Sequence, residues 1–388
     1  MSFESAEYEA RLARTRDRMR AQGIDTLIVT DPANMHYLTG YDGWSFYTPQ
    51  GVVVPHEGEP LLFTREMDTG GARLTTWLED RQILGFPEGY VQQRDRHPLE
   101  WLAAALAGRD LGDGVVALEM DSYFFSPRAY EALRRSLPGA RLVDAEELVN
   151  WVRSVKSPAE LELMSRAAGI MERVMRVAVD AVEPGVRQCD AVAEIVAAQV
   201  RGTEDQGGDY PAIVPMLPTG IGTSTPHLTW SDEPFRQGEA TILELAACCR
   251  RYHCPLARTV YLGHPPRKLL DTARVVEEGL EAALGAVSPG ATCEGVEAAW
   301  RQVIARHNLE KKSRIGYSVG LGYPPDWGEH TMSLRAGDRT VLEQGMTFHM
   351  ILGLWMDDWG YELSETFRVT SGGAECLCAF PRELLVKR

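Results

Sequence analysis

The chain has 388 residues, 44% apolar and 24% charged, ordinary values for a globular protein and unlike those of a disordered one. Forty Lys and Arg against 55 Asp and Glu leave a net charge of −15, which argues against sequence-independent nucleic-acid binding and against adsorption to an anionic membrane. No run of eighteen apolar residues occurs, so no segment is expected to span a bilayer.

The start, Met1 to Glu7, is acidic and polar, without the basic and apolar stretches of a signal peptide. The seven cysteines, at 189, 248, 249, 254, 293, 376 and 378, are an odd number in a long chain. Free thiols in a reducing cytoplasm fit better than a disulfide framework.

In chain order, a first helix is predicted over Ser5 to Gln22, closed by Gly23, with buried strands at Thr26–Thr30, Gly51–Val54 and Pro60–Phe63. Helical patterns follow at Pro98–Leu106 and Ser126–Ser136, giving an α/β domain of about 150 residues. Ser157-Pro158-Ala159-Glu160 then opens a long helix: Pro suits the first helical position, and Ser with Glu three residues on is a capping box. Another helix is expected around Cys189 to Arg201. Beyond Tyr210 the texture changes to hairpins, Ala240–Cys249 with Arg251–Leu262 and Gly345–Met356 with Tyr361–Thr370, separated by helices near Lys268–Ala286 and Cys293–Arg306. Helices grouped against antiparallel strands make an α+β domain. The division is placed within Trp151–Ser157, giving domains 1–154 and 155–388.

Asn34-Met35-His36-Tyr37-Leu38-Thr39-Gly40, Arg153-Ser154-Val155-Lys156-Ser157-Pro158-Ala159-Glu160-Leu161, the Arg258-Thr259-Val260 strand and Glu365 together resemble the creatinase / aminopeptidase P / prolidase superfamily. That resemblance implies a creatinase-type α/β N-terminal domain and a "pita-bread" C-terminal domain. Peptidase members bind two divalent metals through Asp, Asp, His, Glu and Glu. By local register these positions fall on Glu244, Pro255, a site near Tyr317, Ile351 and Glu365. Pro255 and Ile351 offer no side-chain ligand and Tyr317 is a poor substitute for His, so no metal and no other cofactor is expected.

A narrower resemblance, to the ectoine hydrolases, rests on Thr39 to Tyr47, Gly207 to Pro215, Pro226 to Trp230, Arg251 to Leu256, Tyr323 to Glu329, Met332 to Arg335 and Phe380 to Lys387. It implies metal-independent hydrolysis of ectoine, and of hydroxyectoine as a further candidate, through a glutamate-linked intermediate. Creatinase-like cleavage of another amidino or guanidino compound and metal-dependent X-Pro peptidase activity are the alternatives. Ectoine is a cyclic amidinium bearing a carboxylate. Opening it requires a nucleophile at the carbon between two nitrogens, a proton donor for the departing nitrogen, and a partner for the carboxylate.

Glu244, mid-strand in Thr241-Ile242-Leu243-Glu244-Leu245, is the candidate nucleophile. An ionised side chain there is costly unless paired or used, and a surface pair is the other reading. The resemblance matches His227, in a Pro-flanked loop, to a catalytic histidine. An imidazole of pKa about 6.5 suits proton transfer. Glu365 would orient His227 or bind an amidinium N–H. Trp44, Tyr252, Tyr317 and Trp327 are candidate faces for the cation, and Arg335 or Arg339 candidate clamps for the carboxylate. Cys376-Leu377-Cys378 lacks the spacing of a zinc site; Cys248-Cys249 with His253 and Cys254 looks metal-like, but strand alternation puts neighbours on opposite faces and buried small hydrophobes are the better reading; Gly220-Ile221-Gly222 reads as a turn. The resemblance further implies a homodimer, with the loop around Trp44 completing the partner's site, and a downstream deacetylase as a possible partner.

Overall fold

A computed structural model describes residues 3–388. Met1 and Ser2, the first residues of the acidic start, lie outside them. The chain divides into two compact units, Met1–Arg153 and Ser154–Arg388.

The first unit runs α1 (Ser5–Gln22), β1 (Thr26–Val29), α2 (Pro32–Thr39), β2 (Gly51–Pro55), β3 (Leu61–Arg65), α3 (Thr69–Thr75), β4 (Ile83–Phe86), α4 (Pro98–Ala107), β5 (Gly114–Leu118), α5 (Pro127–Ser136), β6 (Ala140–Asp144) and α6 (Leu148–Arg153). Gly23, at φ 66°, stops α1 in the left-handed conformation that glycine adopts without steric cost. The strands form one six-stranded sheet in the order β4-β3-β2-β1-β5-β6, antiparallel only at β1–β2 and β2–β3. Leu102 and Leu106 of α4 and Leu133 of α5 share a core with Ile28, Val53, Phe63, Val116 and Leu118 of the sheet.

The second unit runs α7 (Pro158–Ala181), α8 (Gln188–Arg201), β7 (Ala240–Cys249), β8 (Tyr252–Leu262), α9 (Arg267–Gly285), α10 (Cys293–Ala305), β9 (Gly316–Tyr323), β10 (Asp326–Ser333), β11 (Thr347–Trp355), β12 (Gly360–Thr370), β13 (Gly373–Cys376) and β14 (Leu385–Lys387). The Ser157–Glu160 capping box starts α7 with both of its reciprocal bonds formed. An eight-stranded sheet follows the path β13-β12-β11-β9-β8-β14, with β7 added on β8 and β10 on β9. Arg251 belongs to the hairpin turn and not to β8. It and Arg250 both hold left-handed φ values, 69° and 50°, the requirement of a two-residue type I′ connection.

Every residue of β7 and β8 is buried. Strands covered on both faces do not alternate apolar with polar in sequence, so a charged residue within them stands out. Among the described residues no helix is long and apolar enough to cross a membrane.

Candidate active site

Side chains, and not a backbone ladder, join β12 to β8. The Ala257 N–H donates to Ser364 Oγ at 2.6 Å, and Thr366 Oγ1 donates to the Pro255 carbonyl at 2.6 Å. Thr259 Oγ1 donates to the Glu362 carbonyl at 2.9 Å and accepts the Glu362 N–H at 3.0 Å. Since Ala257 stands opposite Glu244 on β7, and Ser364 opposite Ile351 on β11, a row Glu244–Ala257–Ser364–Ile351 crosses four strands. Glu362 lies two residues before Ser364 and therefore projects from the same face of β12.

This places two buried carboxylates in one electrostatic environment. Burial holds the Glu244 carboxyl well above the usual range; repulsion from Glu362 adds to this, and the positive charge of Lys311 opposes it. Glu362 is likewise pushed up by burial, to about 7, against the pull of Lys311. Lys311 comes from the connection between α10 and β9. Its ammonium donates to the Gly353 carbonyl at 2.9 Å and lies 4.4 Å from the centre of the Trp355 ring. Burial lowers its pKa to about 8, and the two glutamates oppose that shift. Among the described residues, Lys311 forms no ion pair within 4.0 Å of either carboxylate. Glu362 Oε1 and Trp355 Nε1 are buried with no hydrogen-bond partner.

One wall is a hydrogen-bonded chain. Trp327 Nε1 donates to the Tyr317 hydroxyl at 2.8 Å, Tyr317 shares a hydrogen bond with His349 Nδ1 at 3.0 Å, and His349 Nε2 shares one with Ser364 Oγ at 2.8 Å. Burial and Arg314 lower the His349 pKa to about 3, so the imidazole is neutral, with one ring nitrogen donating and the other accepting. Burial and the nearby Glu244 raise the Tyr317 pKa, so its hydroxyl stays protonated.

The donor set does not fit a pair of hard divalent cations. Of the expected ligand positions, Pro255 and Ile351 have no side-chain donor, Tyr317 is occupied with His349, and Glu365 with Arg258, which leaves Glu244. Among the described residues no three His, Cys, Asp or Glu side chains group in a way that could hold a metal ion. A lysine ammonium already supplies positive charge beside both glutamates.

Several expected residues lie elsewhere. Glu365 projects from the other face of β12, 2.7 Å from Arg258 and 3.1 Å from Arg382. It is a buried anchor for two arginines, and Glu362 takes the place expected of it beside Glu244. His227 is exposed, at a left-handed φ of 67°, and makes no hydrogen bond to Glu244 or Glu365. Tyr252 is fully buried and donates to Glu160 at 2.8 Å, a core contact. Trp327 is also fully buried and serves the Tyr317 chain. Arg335 and Arg339 are exposed, the latter 3.7 Å from Glu294. Trp44, in the first unit, is 58% exposed. Sequence reasoning missed Lys311, His349 and Glu362 as candidate site residues. For Glu362 a signal existed: alternation sets it opposite Glu365, and only the identity of the inward face was lacking.

Residues 162–371 match the Metallopeptidase family M24, and residues 11–155 the Creatinase/Prolidase N-terminal domain. An ectoine hydrolase of Halomonas elongata is 45% identical over 394 residues, covering 100% of this chain and 99% of that protein. An uncharacterised hydrolase/peptidase of Sinorhizobium fredii is 44% identical over 100% of this chain and 99% of its own length. Among solved structures, a prolidase of Thermococcus sibiricus superposes with a TM-score of 0.85 at 17% identity, covering 98% of this chain and 99% of that one. The dipeptidase PepE of Mycobacterium ulcerans gives 0.81 at 23%, covering 99% of both. At these identities the structural likeness shows the pita-bread fold.

Proposed function

Because the chain belongs to metallopeptidase family M24, with a creatinase/prolidase N-terminal domain, yet brings together a buried carboxylate pair and a lysine and groups no three metal-ligating side chains among the described residues, we propose that it hydrolyses ectoine without metal. The product is N-acetyl-2,4-diaminobutyrate. The observation that carries this reading is the pair of buried glutamates, Glu244 and Glu362, raised together by burial and facing one another's charge. The 45% identity with an ectoine hydrolase supports the choice of substrate.

An amidinium between two carboxylates favours ionisation of both. A Glu244 oxygen then bonds to the carbon between the two nitrogens, and one ring C–N bond breaks as the departing nitrogen takes a proton. Glu362, with a pKa of about 7, is placed to take a proton from the N–H of the nitrogen that stays and deliver it to the departing one. Water adds to the same carbon, the Glu244 carboxylate leaves, and loss of a proton gives the acetamide. The net change is addition of one water. The carboxylate nucleophile divides a difficult hydrolysis into two easier steps. Hydroxyectoine, which differs by a hydroxyl away from the amidine carbon, is a second candidate substrate, and a deacetylase would consume the product.

The test is ring opening of ectoine by the purified protein, followed by the methyl proton resonance, with and without chelator. Turnover that persists in chelator and is lost in Glu244→Ala supports the reading. Cleavage of X-Pro dipeptides that depends on added Mn(II), with ectoine left intact, overturns it. Trapping after acid quench should give a mass adduct on the peptide containing Glu244.

A further inference from the structure

Around Gly353 three polar groups stand without mutual satisfaction. The Lys311 ammonium bonds the Gly353 carbonyl at 2.9 Å. The Trp355 indole lies against the α-carbon of Gly353, where an added methyl would fall inside the ring. Its N–H is buried and has no acceptor. Glu362 stands directly across the strand pair from Gly353, with Oε1 buried and no donor. An unpaired buried donor or acceptor is costly, and a buried cation held apart from a buried anion is costlier still. Had the lysine served only to neutralise Glu362, contact between them would be the low-energy arrangement, yet the two charges act on each other without an ion pair.

Resting on the proposed reading of the site, we propose that Lys311 and the Trp355 N–H form the subsite for the substrate's carboxylate, with Glu362 taking the amidinium. The ligand class that satisfies all three groups at once is a compact zwitterion. Its anionic end accepts from the lysine and the indole, and its cationic N–H end donates to Glu362. Arg335 and Arg339, exposed on the surface, are not needed for that task. Lys311 is thereby a specificity-determining residue. It rewards a cyclic amidine that carries a carboxylate and repels a bare amidinium or guanidinium, because an ammonium without an ion-pair partner disfavours a second cation beside it. Gly353 belongs to the same design, since any side chain there would push the indole out of place.

The experiment compares kcat/KM for ectoine with the inhibition constant of 2-methyl-1,4,5,6-tetrahydropyrimidine, the same ring without its carboxylate, in wild type and in Lys311→Met. A hydrogen bond to a charged group sets the scale. The preference for ectoine over the bare ring should fall about 10²-fold in Lys311→Met, with the bare ring binding more tightly than to wild type. Lys311→Arg should restore part of the preference. Trp355→Phe, which keeps an aromatic ring and removes the N–H together with the pyrrole part of the indole, should lower the preference by about tenfold, and it stands as the second variant should Lys311→Met fold poorly. Equal losses toward both ligands, or an unchanged preference in both variants, overturn the subsite. Failure of the wild-type protein to open ectoine would instead overturn the proposed function, and the two failures are separable in one data set.

Discussion

On the proposed reading Glu244 and Glu362 concentrate the chemistry, because burial favours the protonated form of both and the charge of Glu362 adds to this at Glu244. A bound amidinium reverses that preference. Binding of a cationic ring near pH 7 should therefore release protons, measurable by calorimetry with the bare ring in buffers of differing ionisation heat. No dependence on buffer would remove the carboxylate pair from the reading. Glu362→Gln, which keeps the shape and removes the titration, should lower kcat by about 10²–10⁴-fold if that group carries the proton; a loss below tenfold would move the role elsewhere. The same residue bears on stability. Its pKa of about 7 in the folded protein lies above that of an unfolded glutamate, so the folded state binds more protons between about pH 4.5 and 7. Stability from this group is fully present below that window and is lost as pH rises through it. Glu119 of the first unit, also raised to about 7 by burial and by Asp31, acts in the same direction. Melting temperature should accordingly fall from pH 5 to pH 8, and Glu362→Gln should flatten only its own share.

The strand pair β11–β12 and its neighbour β8 are where element-level order is decided. Glu365 is held by Arg258 and Arg382, and Arg258 also donates to the carbonyls of Ser364 and Phe380. The cluster clamps β12 and the C-terminal segment onto β8. Arg258→Ala would leave a buried carboxylate with one partner removed, a loss of about 3–5 kcal/mol. It should appear as a lower denaturant midpoint together with lost activity. Arg258→Ala with Glu365→Ala in one chain should recover part of the midpoint, because no unpaired charge then remains. At the start of α7, Ser157→Ala removes one half of a capping box and should cost about 1 kcal/mol with catalysis unchanged. A change in KM there would show that the cap also shapes the site.

For the molecule as a whole, the proposed metal-free reading, with Pro255 and Ile351 at two of the expected ligand positions, implies a stability that does not draw on bound ions. Dialysis against chelator should shift neither melting temperature nor ectoine turnover, and metal analysis should find well under one ion per chain. A melting temperature lowered by chelator and restored by Mn(II) would contradict this. The net charge of −15 predicts that added anionic vesicles or nucleic acid leave the rate untouched at physiological ionic strength.

Local chemistry written along the chain was enough for much of the architecture. Gly23 ends α1, Ser157 with Glu160 opens α7, and the apolar run at Ala240–Cys249 and the alternating pattern at Tyr361–Thr370 mark the hairpins of the second unit. These signals act within a few residues, so they survive translation into structure with boundaries moved by a residue or two. Glu244 was legible for the same reason: a charge inside an apolar strand is conspicuous wherever the strand lies. The rest of the site was not legible locally. β12 is buried along most of its length on both faces, so alternation separated Glu362 from Glu365 without telling which faces Glu244. Lys311 sits in a polar connection that reads as solvated until folding carries it to Gly353. Which polar groups are paired and which are left open depends on distances between strands far apart in the chain, and those distances exist only once the strands have packed.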